Sequence, residues 1–128
     1  MKMKNRLSTP SMKLYITLNL ETSFLLRLIT MQHENAVRQK AATFVGRSEL
    51  YQACLDHCMA PHVENSVMII HGEPGCGKSA LLAAVSKRCL DVFRSSGDFV
   101  FVHAVDTCPE SNNLETLLRN MQVHALVS

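Results

Sequence analysis

Residues 72 to 79 read Gly72-Glu73-Pro74-Gly75-Cys76-Gly77-Lys78-Ser79, and few runs of this length restrict a backbone so tightly. Gly72, Gly75 and Gly77 lack the Cβ that would bar positive φ and keep a ligand away from the main chain. Successive N–H groups can then converge on one anion. They do so at the start of a following helix, where unsatisfied amides and the helix dipole already favour negative charge. Every fixed position of the phosphate-binding pattern G-x-x-x-x-G-K-[ST] is filled. The flanks agree with it: Ser66-Val67-Met68-Ile69-Ile70-His71 reads as a short buried strand rich in β-branched residues, and Lys78 to Leu90 as a helix. A plain glycine-rich turn before a helix, with no ligand, is the alternative.

Each position has a role in that pattern. Lys78 supplies a mobile point charge for β- and γ-phosphates. The Ser79 hydroxyl, one residue on in the first helical turn, is placed to ligate the Mg²⁺ that bridges them. Glu73, Pro74 and Cys76 occupy the variable positions, Pro74 stiffening the loop, and Ala80 follows in the first turn. The candidate binding set is therefore Gly72, Glu73, Pro74, Gly75, Cys76, Gly77, Lys78, Ser79 and Ala80, with Ser79 on Mg²⁺ and a nucleoside triphosphate as ligand. Cys76, inside the loop at a helix N-terminus, is expected to be open to oxidation.

A chain of 128 residues has the length of one modest domain, and 47% hydrophobic with 19% charged residues is enough to bury a core. A net charge of +2 is too small to argue for nucleic acid or an acidic membrane surface, and no long basic run with interleaved aromatics is present. Cys54, Cys58, Cys76, Cys89 and Cys108 form an odd set without scaffold spacing, and the N-terminus lacks the apolar core of a secretory signal. A reducing, cytoplasmic compartment is expected. Leu14 to Thr30 is apolar but broken by Asn19, Glu21 and Arg27, so no membrane span is expected. Lys2, Lys4, Arg6 and Lys13 without an acid resemble a mitochondrial transit peptide; a partly disordered leader is the alternative.

Residues 1–40 read as a leader or linker, disordered or helical, with a polar, charged run from Glu34 to Lys40. Residues 41–128 read as globular. Leu50, Cys54, Leu55 and Cys58 recur at helical spacing between Arg47 and Met59, stopped before Pro61. Ser95-Ser96-Gly97 supplies a turn, after which Asp98 to Val105 reads as a second strand through Phe99, Val100, Phe101, Val102 and Val105. Strand, helix and strand predict a right-handed parallel crossover and an α/β fold. A last helix is predicted from about Asn113 to Val127, with Leu114, Leu117, Leu118 and Met121 on one face and a capping box of Asn112 with Glu115.

The run Phe44-Val45-Gly46-Arg47-Ser48-Glu49-Leu50, one helix and one loop ahead of the glycine-rich stretch, resembles the opening of a STAND-class NTPase. That family includes NACHT and origin-recognition-type AAA modules. Phe99-Val100-Phe101-Val102-His103-Ala104-Val105-Asp106-Thr107-Cys108-Pro109-Glu110-Ser111 is similar to the corresponding strand of nephrocystin-type proteins that carry tetratricopeptide repeats further on. The resemblance covers about residues 42 to 122. It implies the N-terminal part of an α/β P-loop NTPase, a parallel sheet flanked by helices, that binds ATP in preference to GTP. It also implies Val45 and Gly46 beside the adenine, protein partners reached through downstream repeats, and nucleotide state used as a regulatory switch. Gly46 and Arg47 read equally well as the bare start of a helix.

Hydrolysis in such enzymes needs a second acidic strand to complete the Mg²⁺ shell and orient water. No such strand follows residue 106. Asp106 ends an apolar run and is the one candidate acid, against a turn-initiating Asp before Thr107-Cys108-Pro109. Two strands are few for a buried parallel sheet, so the chain is expected to stop inside its own domain and to turn over nucleotide weakly or not at all. A non-catalytic interaction fragment, or a non-functional truncated product, is one alternative. A kinase- or GTPase-like enzyme using Asp106 is another, the GTPase form weakened by the lack of N-K-x-D. Cys54, His57, Cys58 and His62 set out a candidate zinc site, against cysteines simply buried on an apolar helix face. His71 and His103, near strand ends, read as structural, and nothing resembles a Ser/His/Asp triad.

Overall fold

The computed structural model describes residues 10–60, 66–105 and 107–127. Among these residues four helices follow one another: α1 (Pro10–Ala41), α2 (Ser48–Met59), α3 (Lys78–Ser96) and α4 (Leu114–Val127). No strand occurs among the described residues, so the expected α/β fold with a parallel sheet is wrong for this structure. The segments 66–71 and 98–105 are not helical and take part in no ladder; Val67 and Ile69 are each 80% exposed. The physical reason lies in how they pack. A buried strand needs a hydrogen-bonding neighbour along each edge. Here Ile70 and Val100 instead reach down onto the α2–α3 core, and both segments line one cavity of ≈640 Å³.

α3 is the hub. Both α1 and α2 pack against it, and α4 packs against α1. Leu81, Val85 and Cys89 recur every fourth residue, which stacks them on one helix face. That face meets Cys54 and Leu55 of α2, with Phe44, Tyr51, Ile70, Phe93 and Val100 around the margin. Complete burial of a leucine such as Leu81 contributes about 2 kcal/mol. Gly97 ends α3 at φ 79°, its N–H returning to the Phe93 carbonyl, a turn that only a residue without Cβ makes cheaply.

α1 begins at Pro10, where the fixed φ suits a first helical position and the missing N–H costs nothing. Downstream of it, His33 and Val37, one turn apart, are buried. The flanking charges tie α1 to α3: Arg94 Nη2 meets Glu34 Oε1 at 2.6 Å, and Arg38 Nη2 meets Asp91 Oδ1 at 3.1 Å. Lys87, one turn before Asp91, adds a bond of 2.9 Å. Among the described residues no helix is long and apolar enough to cross a membrane.

α4 departs from its expected orientation. Leu114, Leu118 and Met121 are 67, 51 and 43% exposed, while Asn120 is buried. Its cap is Asn113 rather than Asn112: Asn113 Oδ1 accepts the Glu115 N–H at 2.8 Å.

Candidate functional site

The glycine-rich loop feeds directly into α3, with Gly77 as N-cap residue at φ 89° and no side chain capping the helix. Gly75 also takes a positive φ of 77°. A Cβ on either would touch nothing within 4 Å, so their requirement is conformational. Gly72 differs: a Cβ there would stand 3.0 Å from Cys76 Sγ, so this position is held small by a neighbour. Cys76 N–H closes the turn on the Glu73 carbonyl at 3.2 Å, and Leu81 N–H makes the first helical bond to the Gly77 carbonyl at 3.0 Å.

Lys78 folds back over the loop. Its Nζ donates to the Gly72 and Glu73 carbonyls, each at 2.7 Å, and lies 3.7 Å from Cys76 Sγ. The ammonium thus sits beside the loop amides and adds to the positive field of the helix N-terminus. Glu73, Pro74 and Ser79 are exposed, and Ala80 is half-buried in the first turn. Gly72 to Ala80 is therefore one continuous surface element.

The other sequence candidates lie elsewhere. Val45 is 88% exposed, Gly46 takes φ 77°, and Arg47 initiates α2 from the left-handed region at φ 54°. Phe44 carries the packing of this stretch, its ring 5.6 Å from that of Tyr51. Asp106 and His62 lie outside the described residues. Among the described residues no three His, Cys, Asp or Glu side chains are grouped to hold a metal ion, so Cys54, His57 and Cys58 make no zinc site there.

One buried polar cluster escaped sequence reasoning. His33 of α1 is 1% exposed and packs against His103, ring centroids 4.4 Å apart and planes tilted by 35°. The Ala104 N–H donates to His33 Nδ1 at 3.0 Å, and His33 Nε2 lies 3.7 Å from Cys108 Sγ. His103 Nε2 donates to the Ser111 carbonyl at 2.6 Å, while the Ser111 hydroxyl accepts the Thr107 N–H at 3.0 Å. The tautomers follow from the partners. An amide can only donate to Nδ1, so neutral His33 carries its proton on Nε2 and has no lone pair to take a proton from Cys108. The Cys–His pair is structural, not a nucleophile with its base. Burial holds the His33 imidazole below its ordinary range, with the His103 ring adding to the effect. No local pattern in the sequence announced it, because the burial of His33 depends on His103 and Ala104, about 70 residues away.

A helical domain whose third helix opens, without a side-chain cap, from an exposed glycine-rich loop is the class that this architecture defines. The family model of the nephrocystin 3 N-terminal domain matches residues 44–127, and the chain belongs to that family. The matched span opens at Phe44, contains the whole loop and closes within α4. No curated protein and no solved structure matches the chain.

Proposed function

We propose that residues 72–80 bind the phosphates of a Mg²⁺–nucleotide, ATP before GTP, and that the bound state acts as a regulatory switch with little or no turnover. One observation carries the reading: a loop with two glycines at positive φ runs into a helix without a side-chain cap, beside an ammonium group held over the loop carbonyls. Such a cradle is local. It needs the loop and the first turn of α3, and it makes no demand on a sheet. Lys78 would exchange a carbonyl contact for a phosphate oxygen, and Ser79 would face the metal. The switch function and the choice of ATP rest on the resemblance to STAND and NACHT modules, as does recruitment of protein partners through repeats. Five free cysteines fit a reducing, cytoplasmic setting.

The test is Mg²⁺-dependent binding of a fluorescent ATP analogue to the full chain and to Lys78→Ala. Removing a charge-assisted contact worth about 1.5–3 kcal/mol should weaken binding about 10- to 100-fold. Equal affinity in both forms, or no binding by either, rules the reading out. A phosphate-release assay on the same samples should stay near background.

The bare interaction fragment has one observation in its favour. Phe24, Leu25, Leu28 and Met31 of α1 are 41 to 62% exposed, an apolar surface beside the charged links to α3. A chain that binds no nucleotide but self-associates through α1 would favour that reading.

A further inference from the structure

Cys54 and Cys58 lie one turn apart on α2, and Cys89 lies on the α3 face that packs against it. All three line the ≈640 Å³ cavity between these helices, together with His57. Cys54 and Cys89 are buried, whereas Cys58 is exposed. Cys58 from α2 and Cys89 from α3 border that same cavity. One reachable thiol therefore faces one sheltered thiol across a helix–helix contact, which is the arrangement of an attacking and a resolving cysteine.

We infer that Cys58 and Cys89 form a redox-responsive pair, closed to a disulfide by hydrogen peroxide, that links the end of α2 to the middle of α3. The chemistry proceeds in two displacements. Cys58 Sγ, as thiolate, attacks one peroxide oxygen; the O–O bond breaks, hydroxide leaves, and Cys58 becomes a sulfenic acid. Cys89 Sγ then attacks the Cys58 sulfur, the S–O bond breaks, and the departing hydroxide takes up the Cys89 proton as water. Two thiols lose two electrons and two protons, and the peroxide is reduced to two waters. Cys54 is the weaker partner for Cys58. Both project from the same helix one turn apart with nearly parallel Cα–Cβ bonds, which suits a bridge poorly. Cys89 approaches from a separate helix, across the cavity that both residues line. The inference stands apart from nucleotide binding, because neither thiol belongs to the glycine-rich loop.

The experiment treats the full chain with stoichiometric hydrogen peroxide, blocks remaining thiols with N-ethylmaleimide, and maps tryptic peptides without reduction. The expected product is peptide 48–78 joined to peptide 89–94, two hydrogens lighter than their sum. Random pairing of five cysteines would give this pair about one tenth of the bridges. Native protein should place most of them there, and protein unfolded in urea should not. The linked species should persist in Cys54→Ala/Cys76→Ala, which leaves Cys58 as the single cysteine in peptide 48–78, and vanish in Cys58→Ser. Circular dichroism of each variant, run alongside, excludes unfolding as the cause of a loss. Dominance of another pairing, no bridge at all, or a Cys58 oxidised past the sulfenic stage without linkage overturns the inference.

Discussion

Lys78 is tied to its own loop and still has capacity for a ligand. An ammonium has three donors, and two of them reach neutral carbonyls in an exposed loop. Such bonds are worth little when water is the alternative, so Lys78→Ala without nucleotide should cost about 1 kcal/mol or less in a urea melt. A loss beyond about 3 kcal/mol would make Lys78 a structural clasp instead of a ligand. Gly97 is the opposite case, where conformation alone decides. It holds φ 79°, and a Cβ there would meet nothing within 4 Å. Gly97→Ala should therefore destabilise by about 1 kcal/mol, and Gly97→Asn, which tolerates the left-handed region, by less. An alanine variant as stable as the parent would mean that the α3 terminus shifts to a different cap.

At the level of elements, what could be read from the sequence was what local chemistry determines. α2 is bounded as its spacing predicts and α3 starts at Lys78 as expected, but α3 runs past the expected end at Leu90 through Ser95 and Ser96, because the effective local stop is Gly97 alone. The strands failed because β-propensity is local but a ladder is not. Val67, Ile69 and Phe99 have strand-like side chains without a partner edge, and they stand 80, 80 and 50% exposed. α4 was oriented by its leucines, yet the side it buries carries Asn120 and the His124 ring, which packs edge-on against Phe99 and Phe101. The charged run Glu34 to Lys40 concealed the docking role of α1, because Glu34 and Arg38 bind across to α3 while His33 and Val37 go inside. Of the glycine-rich loop, the positive φ at Gly75 and Gly77 and the helix start at Lys78 were legible, whereas Gly72 takes no positive φ and the strand before the loop is absent; the His33–His103 contact was not legible, being a contact between distant segments.

That pairing makes the α1 contact sensitive to acid. Desolvation, then the neighbouring His103, lowers the His33 pKa in the folded chain. The unfolded chain accepts a proton near 6.5, which the folded chain resists. Stability is therefore full above that pH and is lost as pH falls below it. The thermal midpoint of the parent should drop more steeply between pH 7 and pH 5 than that of His33→Gln. Parallel slopes would show that His33 is not the group responsible.

For the whole molecule, α3 determines whether the domain holds together, since α1 and α2 each pack against it. Leu81→Ala should then cost about 2–5 kcal/mol, a large part of an ordinary domain's stability. The alkaline limit falls on the same helix. Burial, and then Cys58 nearby, pushes the Cys89 thiol up from 9.0 to about 11. Below pH 9 the thiol is protonated in both states and contributes nothing to the pH dependence. Between 9.0 and about 11 the unfolded chain gives up a proton that the folded chain keeps, so stability is lost as pH rises through this window. The gap amounts to roughly 2–3 kcal/mol at most. Urea melts under reductant at pH 8 and pH 10.5 isolate it. Contributions common to the parent and Cys89→Ala cancel in the comparison, and the parent should lose about 2 kcal/mol more across the interval. Cys89→Ala starts lower, because it leaves a small cavity beside Leu55 and Val85, but its stability should change less with pH. Identical losses in the two proteins would mean that the α2–α3 contact opens before Cys89 ionises, and that α3 does not hold the fold together as a single unit.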